Sequence, residues 1–169
     1  MKVLVWHMAA VFAAGWGAVT DLKVHKIYNY LTMPSIAVGM LMHLSAEGPG
    51  GLMDSLLGLG AGIFCMLFWF LGMLKAGDVK LYMAVGALGG WKFCGYTIFY
   101  SILIGGIAAL GIMLIRKSGR ASLKRLWIYV LNLAYTKQFQ PYRPEEKHAY
   151  FSFGSCIFAG TLAAVWHLY

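Results

Sequence analysis

Long apolar runs with almost no charge inside them limit what this chain can become more than any other feature. Residues 3–20, 30–45, 52–74, 97–115 and 149–168 each read as nearly unbroken hydrophobic sequence. A further run, 81–91, reaches spanning length only if it begins near Asp78 and continues to about Tyr96. A helix needs about 20 mostly apolar residues to cross the hydrocarbon core of a bilayer. The scarcity of charge settles the solvent. Only 12% of the 169 residues are charged and 60% are hydrophobic, against about 25% and 45–50% in soluble domains. Such a chain cannot clothe a water-facing surface, which excludes a soluble globular enzyme. The expectation is an all-α membrane protein with six transmembrane helices in one polytopic domain, residues 1–169. Trp6, His7 and Trp16 make the first run an anchored span rather than a cleaved signal peptide.

The net charge of +8 does not point to nucleic acid, because no basic stripe is interleaved with aromatics on a polar scaffold. It orients the chain instead. The successive loops carry 2, 0, 2, 1 and 8 Lys and Arg, so 12 of the 14 fall on one side. Basic residues collect on the cytoplasmic side, which places both ends of the chain outside. The long loop 116–148 holds eight of them, and within it Leu123, Leu126, Trp127, Val130, Leu131 and Ala134 recur at helical spacing. That pattern predicts a cytoplasmic interfacial amphipathic helix over about 121–136, between the fifth and sixth spans, with its Lys and Arg suited to anionic membrane lipids. Cys65, Cys94 and Cys156 lie far apart inside apolar runs and form no CxxC pair. They read as small packing residues, so no metal, cofactor or disulfide is expected.

Six residues are acidic. Glu145 and Glu146 belong to a solvated linker, Glu47 to an outer turn, and Asp54 to the outer start of a helix, where a carboxylate suits the dipole. Asp21 and Asp78 differ, since both fall at the cytoplasmic junction between lipid and water. A carboxylate at bilayer depth costs about 2.5–3.5 kcal/mol on insertion scales, so it tends to have a partner or a task. Position alone leaves both readings open. Each Asp could cap a helix or pair with a nearby Lys, or the two could converge, share a proton and activate water for peptide hydrolysis. Gly77, which has no Cβ, permits close backbone approach beside Asp78.

Two segments carry a resemblance to a known family. Asp21 to Asn29 looks like the stretch D-x5-I-P-N, and Lys75 to Leu81 looks like G-x-G-D-x-K-L, followed by the small-residue run 84–90. A weaker likeness is the Ala149-to-Gly154 stretch at the last run. With these motifs the chain resembles the prepilin peptidases, GxGD-type aspartic proteases of the inner membrane. Tyr28 stands where that pattern has Pro, and Lys75 where it has its first Gly.

The resemblance implies that Asp21 and Asp78 are the catalytic dyad, with Lys26, Asn29, Gly77 and Lys80 supporting them or binding substrate. Lys80 either sustains the charge of Asp78 or snorkels as an anchor, and Asn29 either bonds near Asp21 or ends a turn. The implied substrates are type IV prepilins, or pseudopilin- and preflagellin-like proteins. They would be cut between a basic leader and an apolar helix at the cytoplasmic face of a bacterial or archaeal cytoplasmic membrane. The form implied is the short, peptidase-only one without a methyltransferase region. The rivals are a non-catalytic assembly protein of a pilus or secretion system and a small proton-coupled transporter. No feature of the sequence sets an oligomeric state.

Overall fold

The computed structural model describes residues 2–70, 73–115 and 152–169. The loop 116–148, its expected interfacial helix over 121–136, and the start of the last run lie outside the described residues. Those that are described form helices and connections, with no strand among them. The helices are α1 (Lys2–Val24), α2 (Asn29–Phe64), α3 (Met66–Phe70), α4 (Ala76–Ile115) and α5 (Phe153–Leu168). Val3–Val24, Asn29–Phe70 and Ala76–Gly111 are long and apolar enough to cross a bilayer, and Phe153–Leu168 is apolar but shorter.

Two of these helices change direction at a glycine. Gly48 (φ 66°, ψ −147°) interrupts α2, and Pro49 opens the second arm, a position where its missing N–H costs nothing. His43 on the first arm and Ser55 on the second reach adjacent carbonyls of α4, Leu88 at 3.1 Å and Ala87 at 2.7 Å. The arms therefore fold back on one neighbour. Gly90 (φ 79°, ψ 175°) interrupts α4, and the Cys94 thiol beyond it returns to the Tyr82 carbonyl at 3.7 Å. The fourth run reaches spanning length only by continuing unbroken to about Tyr96; it begins near Asp78 as that requires, but the backbone breaks at Gly90. That backbone conformation is open only to glycine, whereas 91–96 continue as regular helix. The third run also divides. At Cys65 the N–H bonds the Gly62 carbonyl at 3.1 Å, tightening the end of α2 before α3 begins.

Many helix contacts are made by small residues, around a few large buried side chains such as Leu81, Tyr82, Phe93 and Ile157. Ala10, Ala13, Ala14, Ala18, Ala84 and Ala87 are buried, while Phe12, Leu41, Phe64, Phe99, Ile107 and Trp166 are exposed. Lipid tails are as apolar as Leu, so large side chains gain little by turning inward, and small ones let backbones approach. Gly58 and Gly86 illustrate this: a Cβ on either would collide with the other's carbonyl oxygen. Gly39 and Gly62 are likewise seated on the α4 backbone. This close contact of α2 with α4 positions the first turn of α4 beside the end of α1.

Candidate active site

Asp21 lies in the last turn of α1 and Asp78 in the first turn of α4. Each is 1% exposed. Burying a carboxylate is costly unless donors meet it, and the local structure supplies them. Helix α1 ends at His25, whose φ of 55° is the left-handed turn that closes many helices. The Asp21 side chain is met from the other end of the chain. The Ser152 hydroxyl donates to its Oδ2 at 2.5 Å and the Gly154 N–H to the same oxygen at 3.0 Å. Lys75 Nζ stands 3.6 Å from its Oδ1. Gly154 has to be small here, because a Cβ would lie 3.0 Å from Asp21 Cβ and 3.1 Å from Oδ2.

Asp78 is at the third position of α4. Its Oδ2 accepts the backbone N–H of Lys75 at 3.0 Å, one half of a capping box. Its Oδ1 is buried with no hydrogen-bond partner among the described residues. Both structural readings of these residues therefore hold locally: one Asp caps a helix and the other pairs with a Lys. Yet one residue, Lys75, serves both, and the two carboxyls are close enough to act on each other electrostatically.

A cavity of about 300 Å³ opens on the pair, lined by Asp21, His25, Lys26, Ile27, Tyr28, Asn29, Lys75, Gly77 and Asp78. The two sequence motifs meet in it. Gly77 faces Ile27, where a Cβ would come within 3.2 Å of the Ile27 Cβ. Lys80 donates from Nζ to Asn29 Oδ1 at 2.9 Å on the exposed surface. Lys80 thus bridges the motifs, and Lys75 is the cation placed at the carboxyls. Asp54 sits elsewhere, against Gly90, and lines a separate cavity with His7, Lys92 and Tyr169. Among the described residues no group of three His, Cys, Asp or Glu is arranged to hold a metal. Reading the sequence assigned no role to Ser152 or Gly154. The only signal was the weak family likeness of the stretch that contains them.

Comparison with known proteins bears on the same segments. The sequence profile of the type IV leader peptidase family matches residues 8–110, spanning both aspartates. The chain belongs to this family. It is similar to the prepilin leader peptidase/N-methyltransferase of Aeromonas hydrophila, 28% identical over 131 residues, covering 64% of this chain and 45% of that protein. The corresponding protein of Aeromonas salmonicida is 30% identical over 123 residues, covering 66% of this chain and 42% of its own length. The chain thus spans less than half the length of the curated relatives it matches. No solved structure matches it significantly. Within a leader peptidase family, two buried carboxyls around one open cavity hold the groups that acid–base hydrolysis of a peptide needs.

Proposed function

We propose that this chain is an aspartic endopeptidase that removes the basic leader from type IV prepilin-like substrates, with Asp21 and Asp78 as its dyad. Family membership supports the reaction class, and the convergence of the two carboxyls on one cavity carries the residue assignment. In the working state the two carboxyls come together across the cavity they share, and two carboxyls that close do not both ionise at neutral pH, so the pair holds one proton. The ionised member takes a proton from water as the water attacks the scissile carbonyl, and the protonated member hydrogen-bonds that carbonyl. The substrate must unwind locally, since a helical amide is hydrogen-bonded and shielded. Lys26 and Asn29 line the cavity and position the extended segment, with Lys80 holding Asn29 from outside it. In this reading the arms of α2 and α4 are separate membrane segments, the first arm of α4 a short one of about 21 Å at 1.5 Å per residue that ends inside the bilayer. With α1 and α5 that makes six segments, and the cavity faces the cytoplasm.

The test is cleavage of a co-expressed type IV prepilin. Asp21→Asn and Asp78→Asn should each lower the rate by at least about a hundredfold. Asp54→Asn should cut at nearly the wild-type rate, because Gly90 is twelve residues along α4 from Asp78, about 18 Å at 1.5 Å per residue. Full activity in either dyad variant refutes the assignment.

A further inference from the structure

The two carboxyls are not equivalent, and the donors around them say which one holds the shared proton. An ionised carboxylate only accepts hydrogen bonds, whereas a protonated carboxyl has a hydrogen to give. Asp21 is met on both oxygens, by the Ser152 hydroxyl and the Gly154 N–H on Oδ2 and by the Lys75 ammonium near Oδ1. A proton added to Oδ2 would face the Gly154 N–H, and one on Oδ1 would give up the attraction of the Lys75 charge. Asp78 accepts one backbone N–H on Oδ2, and its buried Oδ1 receives none from the described residues. Other titratable groups nearby are His25, Lys26 and Tyr28 at the cavity wall, with Cys156 on α5 and Tyr82 on α4 beside Asp78. Among the lysines of the cavity wall, Lys75 is the one that forms an ion pair with Asp21.

We propose that Lys75 is a positioning residue that, together with Ser152 and Gly154, makes Asp21 the general base and leaves the proton on Asp78 Oδ1. This rests on the peptidase reading above and adds the division of labour within the pair. Asp21 takes a proton from water while the water oxygen bonds to the scissile carbon, and the Asp78 proton passes to the carbonyl oxygen. The neutral gem-diol then collapses. The C–N bond breaks, the leaving nitrogen takes the proton from Asp21, and a hydroxyl proton returns to Asp78. The pair ends as it began.

The experiment is the pH–rate profile of prepilin cleavage by the full chain in detergent, for wild type, K75M, K75R and S152A. The acid limb of K75M should move about half to one pH unit toward alkaline, since losing the cation beside Asp21 makes its ionised form less favourable. K75R, which keeps the charge, should retain the wild-type limb, and S152A should move in the same direction as K75M. A K75M profile that superimposes on wild type overturns the proposal, as does an equal displacement in K75R. If K75M is inactive at every pH, S152A decides: a displaced limb supports the proposal and an unmoved one overturns it. A wild-type chain that cleaves no prepilin instead ends the peptidase reading itself.

Discussion

At the scale of single residues, the site depends on what is small as much as on what is charged. Gly154 brings an N–H to Asp21 and leaves no room for a methyl group, with Asp21 Cβ 3.0 Å and Ala18 Cα 3.4 Å from where its Cβ would be. Gly154→Ala should displace the Asp21 carboxyl by a few tenths of an ångström, and small misplacements at a reacting centre are costly. We expect prepilin cleavage to fall about tenfold or more while the amount of protein extracted from membranes stays near wild type. Gly106→Ala, with open space around it, should leave cleavage unchanged. Asp21 and Asp78 were legible in the sequence because a carboxylate at the edge of an apolar run stands out against its surroundings. Ser152 and Gly154 were not. Their contacts with Asp21 join positions 131 and 133 residues apart, and a Ser or Gly near an apolar run is ordinary composition. Lys75 was visible as a departure from the family pattern, but its twofold use, by ammonium and by backbone N–H, depends on the turn that brings α1 and α4 together.

At the scale of helices, hydrophobic length reveals that a segment is helical and apolar, but not where it bends. The break at Gly48 falls in a turn that Glu47, Pro49 and the neighbouring glycines already mark. The break at Gly90 sits at the end of a run of small residues that reads equally well as helix packing, so only the backbone conformation distinguishes it. Three buried side chains close the helix end that this break creates. Ser55, His43 and His7 reach the Ala87, Leu88 and Gly89 carbonyls at 2.7, 3.1 and 3.3 Å, and satisfy acceptors that the interrupted helix leaves open. Gly90→Ala should therefore be destabilising, by about 1–3 kcal/mol for the strained backbone alone, with a further clash against the Asp54 carboxylate. The control is Gly95→Ala, in the second arm of α4 with nothing nearby. It should match wild type or exceed it slightly, because alanine is the better helix former. Thermal unfolding in detergent checks both, and equal midpoints would mean that Gly90 is dispensable to the turn.

At the scale of the whole molecule, charge and shape agree on a direction. Lys26 and Lys75 border the cavity that holds the two aspartates, with Lys23 and Lys80 on the same helix ends. The opposite cavity gathers Val3, Asp54, Lys92 and Tyr169, near the beginning of α1, the break in α4 and the end of α5. Basic residues near span ends are retained in the cytoplasm, so the aspartate end should face inward, the side from which the proposed substrate's basic leader would enter. Reporter fusions test this directly. Alkaline phosphatase inserted after Gly50, at the Gly48 turn, should be active, because that enzyme needs the outer compartment. The same insertion within 116–148 should be inactive, and a fluorescent protein there should glow. Replacing Lys75 and Lys80 together with Gln, while adding two Lys after Gly50, should weaken this asymmetry, since the bias is set by Lys and Arg near the ends of the spans. If phosphatase were instead active within 116–148 of the native sequence, the carboxyl pair would open to the outside. No leader held at the inner face could reach it, and the peptidase assignment would fail together with the orientation.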